Sequence, residues 1–181
     1  MLKNVLKSIC FIILVQLFQS NIIMAQNEVS FPKPNGNSNQ LFFLQRTPNA
    51  NTVVYELNVK NGELDSIEPV HIFWILYGKN AEIEELTSIQ RKYAYGLSTQ
   101  LISEDHYELR FLANKKYALQ MMKGPDYKYH IYYPINNKQA ILSRIYLQIN
   151  GGSLFSPHIE YVEFTGLDPE SGTELVERKK I

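Results

Sequence analysis

Two glutamine–arginine pairs hold the most explicit chemistry in this chain. Gln45-Arg46 closes one apolar run, and Gln90-Arg91 lies in an amphipathic one. Arginine presents a planar fork of N–H donors that matches a carboxylate or a phosphate. Two guanidinium groups brought together without carboxylates repel, and an anion between them removes the repulsion. Arg46, Arg91 and Gln90 are therefore candidates for a shared anion site where a strand meets a helix. The competing reading pairs each arginine with a glutamate such as Glu56, or leaves it in solvent, where it does little. His71 and Trp74, the only tryptophan, share the run PVHIFWILY and complete the set of candidate ligand-binding residues. For His71 the competing reading is a hydrogen-bonded interior histidine.

No catalytic residue emerges from a motif. The four histidines, His71, His106, His130 and His158, show neither HExxH nor HxH spacing, so no metal site is expected. Glu104-Asp105-His106 places two acids beside a histidine, but at a turn where solvation is the simpler account. There is no G-x-S-x-G, P-loop or dinucleotide glycine pattern, and no cofactor is expected. Triads assemble in space, so a metal-independent hydrolase or isomerase stays open as an alternative, although nothing in the sequence favours an enzyme. Tyr127, Tyr129, Tyr132 and Tyr133 crowd one segment. They suit an amphipathic ligand, and equally an ordinary strand.

Composition narrows the class. The 181 residues carry no net formal charge and are 45% hydrophobic, a globular balance with no electrostatic case for nucleic acid. Charge is uneven along the chain: residues 56–105 hold nine acidic against four basic side chains, and residues 106–148 hold seven basic against two acidic. Lys115, Lys116, Lys123 and Lys128 are a candidate basic patch for an anionic envelope component. Lys3 and Lys7, the apolar stretch Ile9–Phe18 and the small Ala25 read as a signal peptide over residues 1–25, cleaved before Gln26. The apolar stretch is too short for an ordinary membrane span, so none is expected after signal removal. The one cysteine, Cys10, leaves with the signal; the exported chain then has no disulfide and no thiol nucleophile. Localisation is expected to be periplasmic or extracellular.

The elements that must position these residues follow from periodicity. Residues 26–40 read as an extended polar arm with Phe31 as its large apolar anchor, and residues 41–181 as one domain. Leu41–Arg46 and Thr52–Lys60 read as strands, and Val70–Tyr77 as a central strand covered on both faces. A helix is expected from an Asn80 N-cap to a Gly96 C′. It places Glu82, Glu84 and Glu85 in its first turns and Ile83, Leu86, Ile89, Gln90, Tyr93 and Leu97 along one stripe. Beyond it come strands over His106–Ala113, Tyr117–Met122, Tyr127–Tyr133, Ile141–Ile149, His158–Thr165 and Thr173–Arg178. They are separated by turn signals including Asn136-Asn137 and Asn150-Gly151-Gly152. The expected fold is mainly β, bordering on α+β: an antiparallel barrel or twisted sandwich with one amphipathic helix packed on it.

Three segments together, LFFLQRTPNANTVVYELN, PVHIFWILY and LTSIQRKYAYGL, resemble the exported bacterial proteins grouped as domain of unknown function 4833. The likeness runs from about Phe31 onward. It implies a secreted single-domain protein and assigns no catalytic residues. The expected function is a non-enzymatic binding module for a small or anionic envelope ligand or a protein partner. The alternatives are the spatially assembled enzyme above and a structural protein that uses its sheet edges. A pocket lined by Trp74, tyrosine and arginine would favour binding.

Overall fold

The computed structural model describes residues 31–153 and 156–181. The expected signal peptide over 1–25, Cys10 and the first residues of the polar arm lie outside the described residues. No helix among those described is long and apolar enough to cross a membrane.

In chain order the strands are β1 (Gln40–Arg46), β2 (Asn49–Leu57), β3 (Val59–Lys60), β4 (Glu63–Leu64), β5 (Val70–Leu76) and β6 (Glu82–Glu85). Then follow β7 (Leu97–Ser103), β8 (His106–Phe111), β9 (Ala118–Lys123), β10 (Tyr129–Ile135), β11 (Lys138–Ser153), β12 (Ser156–Leu167) and β13 (Glu174–Lys180). Eleven of them form one sheet; β3 and β4 make a separate hairpin. Asn61 and Gly62, both at positive φ, supply the tight turn between those two, as the Asn-Gly pair predicts.

The sheet forks at β11. One edge of this long strand pairs with β12 along most of its length. The opposite edge is shared: its first part pairs antiparallel with β10, and its middle pairs parallel with β1. One arm then runs β1-β2-β5-β6, and the other β10-β9-β8-β7. The fold is mainly β with a single short helix, as expected, and the sheet curls into a half-barrel. It is mixed, because the β1–β11 pair is parallel.

The apolar alternation of each arm fills the space inside the curl. Phe42, Val53, Tyr55, Ile72 and Trp74 come from one arm. Leu109, Phe111, Leu119, Met121, Ile131 and Tyr133 come from the other, all within one buried cluster. Tyr55 stacks on Phe42 at 4.2 Å and meets Phe111 edge-on at 6.0 Å, joining the arms. A smaller cluster of Phe43, Val54 and Phe73 covers the outer face of the first arm. The strand around Trp74 is therefore covered on both sides, but it is not central: β5 is next to the edge, with only β6 outside it.

The largest departure lies between Asn80 and Gly96. Asn80 and Ala81 take positive φ, and Glu82–Glu85 pairs with β5 as a strand instead of opening a helix. β6 satisfies the outer N–H and C=O groups of β5, which a helix packed on the face would leave unpaired. The helix, α1 (Ser88–Gln90), runs on as a π-helical turn over Arg91–Tyr95. Its N-cap is Thr87: the Thr87 hydroxyl accepts the Gln90 N–H, and Gln90 Oε1 accepts the Thr87 N–H at 2.9 Å. Ile83, Ile89 and Tyr93 of the expected stripe are exposed, while Leu86 and Tyr95 are buried. Gly96 has φ −67°, so positive φ is not its reason. A Cβ there would stand 2.1 Å from the Arg91 carbonyl oxygen, the acceptor of its own N–H.

Two further expectations change. Asn150-Gly151-Gly152 does not close β11; pairing continues to Gly152 and Ser153 through a register shift. The four lysines do not form one patch. Lys115 and Lys116 precede β9, whereas Lys123 and Lys128 stand at its other end, where Lys123 pairs with Asp105.

Candidate functional site

Pairing places Leu44, Val53, Trp74 and Glu84 side by side across β1, β2, β5 and β6. Directly opposed residues share a face, so this row belongs to the inside of the curl. Two residues further along their strands lie Arg46, Asn51 and Leu76, where the core gives way to the mouth of the half-barrel. The turn after Thr87 roofs this point. A cavity of about 190 Å³ opens there, lined by Arg46, Asn51, Trp74, Leu76, Glu84 and Gln90.

Its polar groups are unevenly satisfied. Trp74 is 5% exposed and packs edge-on against Tyr95 at 4.9 Å. The Trp74 Nε1–H and the Arg46 Nε–H are buried and have no acceptor among the described residues. A buried donor without an acceptor costs on the order of 1–3 kcal/mol, and both belong to residues that line the cavity. The Arg46 charge acts on the Tyr95 hydroxyl. Burial raises the Tyr95 pKa, and Arg46 offsets only part of that rise. Gln90 Oε1 is engaged by Thr87, which leaves the amide NH₂ as its donor for the cavity. The roof is held from below: fully buried Tyr55 donates its hydroxyl to the Tyr95 carbonyl at 2.9 Å.

Three of the five sequence-derived candidates, Arg46, Trp74 and Gln90, thus meet at one cavity. Arg91 does not line it, and its stem lies beside Gly96. His71 lies on the outer face, one residue out of phase with Trp74. There its Nδ1 is 3.1 Å from Glu56 and its Nε2 is 2.8 Å from Glu85. Burial opposes the imidazolium, but hydrogen bonds to Glu56 and Glu85 outweigh it, and the His71 pKa is raised. Asn51, Leu76, Glu84 and Tyr95 were not singled out by the sequence. Leu76 follows from strand alternation, Asn51 lay in an expected turn before the strand expected from Thr52, and Glu84 was hidden by the helical reading of β6.

Neighbouring Gln45 points the other way and is structural. Its amide donates to Thr52 and to the Pro32 carbonyl, and its oxygen accepts from Arg144 at 2.9 Å. Arg144 and Arg178 converge on buried Glu163 at 3.2 and 2.6 Å. Phe31 lies on Tyr146 at 5.5 Å, so the described part of the arm is fastened to the outer face.

The remaining polar clusters are internally closed. A second cavity, about 250 Å³, lies between Ser98, Thr99, Gln100, Glu108, Arg110 and Lys115. Its Arg110 is already bound to Glu108 and to the Lys115 carbonyl, each at 2.7 Å. His106 bonds Gln120, and His130 bonds Asp126. Asp105 takes Lys123 and the Tyr129 hydroxyl. Tyr133 stacks on Phe164 at 4.5 Å in the core, and Tyr127 is exposed, so the tyrosine-rich segment forms no single face. Among the described residues, no three His, Cys, Asp or Glu side chains are grouped to hold a metal ion.

No curated protein and no solved structure matches the chain. Residues 42–178, nearly all of the forked sheet and the whole of the cavity, match the model of the domain of unknown function (DUF4833), and the chain belongs to that family.

Proposed function

We propose that the protein is an exported, non-enzymatic binding module that takes a small anionic ligand in the cavity at the mouth of its half-barrel. The observation that carries this reading is the cavity that gathers Arg46, Gln90, Asn51 and the Trp74 ring, with no carboxylate paired to Arg46 among the described residues. An oxyanion in the cavity meets the fixed positive charge of the Arg46 guanidinium in a partly dehydrated setting, where charge-assisted bonds are strongest. The Trp74 ring and Leu76 offer an apolar wall, the usual mixture in a small-molecule site.

Calorimetric titration with acetate, propanoate and inorganic phosphate tests this reading against Arg46→Lys. Lysine keeps the charge and loses the fork, so binding of the best anion should weaken about tenfold, with little change in melting temperature. Equal affinity in the wild type and the variant would overturn the reading. Export rests on Lys3, Lys7, Ile9–Phe18 and Ala25. N-terminal sequencing of protein recovered outside the cytoplasm should begin at Gln26, and a chain retaining Lys3 would mean an anchor instead.

A further inference from the structure

We infer, resting on the binding-module reading above, that the ligand is a small zwitterion, an α-amino acid, with its carboxylate on Arg46 and its ammonium on Glu84. Glu84 is the register partner of Trp74 and lines the same cavity as Arg46. The two opposite charges form no ion pair with each other. The cation paired with Glu84 is Lys79 at 3.9 Å, and both side chains of that pair are more than half exposed. Such a loose surface pair holds Glu84 weakly.

A cavity carrying a guanidinium on one wall and a carboxylate on another discriminates by charge pattern. A simple anion gains Arg46 but is repelled by Glu84. A simple cation gains Glu84 but is repelled by Arg46. A molecule with an ammonium and a carboxylate on one carbon gains from each wall. About 190 Å³ accommodates the amino and carboxyl groups and a short side chain, which has Leu76 and the Trp74 ring to lie against. The amides of Gln90 and Asn51 can satisfy the second carboxylate oxygen and the remaining ammonium hydrogens.

Calorimetry should compare L-alanine with propanoate and L-leucine with 4-methylpentanoate, on wild type, Glu84→Gln and Arg46→Lys. At least one amino acid should bind the wild type tenfold or more tighter than its deaminated acid. Glu84→Gln should erase that preference without weakening the acid, and Arg46→Lys should weaken both compounds. Because Glu84 is exposed, the glutamine variant should keep the wild-type circular dichroism spectrum; if it does not, the wild-type preference decides alone. If the wild type binds the deaminated acids as tightly as the amino acids, or Glu84→Gln keeps the preference, the zwitterion assignment fails while the anion site stands. If none of the four compounds binds, the zwitterion assignment fails, and the anion site fails with it only if acetate and inorganic phosphate do not bind either.

Discussion

His71 and Trp74 are three residues apart on β5 and face opposite sides of the sheet, so one strand carries two different pieces of chemistry. His71 joins Glu56 of β2 to Glu85 of β6 through its two ring nitrogens. Only the doubly protonated ring donates to both, and that is the form the raised pKa favours. The Phe73 ring beside it is uncharged, and the second oxygen of Glu56 takes a hydrogen bond from Asn37, so the two glutamates are the charges acting on it. A pKa above the unfolded value means that the contribution to stability is fully present below about pH 6.5 and fades as pH rises through the folded-state value. In urea denaturation, wild type should exceed His71→Gln in stability by more at about pH 5.5 than at about pH 8. A constant difference would mean that the clamp is not ionic. This much could not be read from the sequence: His71 was legible as a strand residue, but its partners sit 15 and 14 positions away and become neighbours only through pairing.

At the scale of elements, the segment from Asn80 to Gly96 decides whether the cavity has a roof. Its residues follow a helical period, and that local signal loses to the need of β5 for an edge partner. The positive φ at Asn80 and Ala81 ends the periodic segment before it starts. The actual start is the Thr87-x-x-Gln90 capping box, which the expected Asn80 start passed over. Gly96 was legible as an end but for another reason: the chain passes too close to the Arg91 carbonyl for any side chain. Gly96→Ala should therefore cost about 2 kcal/mol or more, the range of mutations that force backbone movement. Thr87→Ala should cost only about 1 kcal/mol, the usual loss for an N-cap. Chemical denaturation of both variants checks the order, and a neutral Gly96→Ala would show that the turn is looser than described.

Across the whole molecule, the fork at β11 makes the half-barrel and its mouth. Strand positions and inward faces were largely legible, because Tyr107, Leu109 and Phe111, or Val53 and Tyr55, alternate as half-buried strands must. The parallel β1–β11 pair was not, since nothing local in Phe43 names Arg144, about a hundred residues on, as its partner. The same limit applies to the site. Arg46, Trp74 and Gln90 were visible as residue types, but their convergence depends on cross-strand register and on a roof tied down by Tyr55. Trp74, the single tryptophan, lines the cavity, so its fluorescence reports the site directly. The most direct measurement is a Trp74 fluorescence titration with acetate, propanoate, L-alanine and inorganic phosphate, on wild type and Arg46→Lys. The cavity reading predicts a saturable change with at least one compound in the wild type, shifted to about tenfold higher concentration in the variant. No saturable change with any of them, or identical curves for the two proteins, would contradict it.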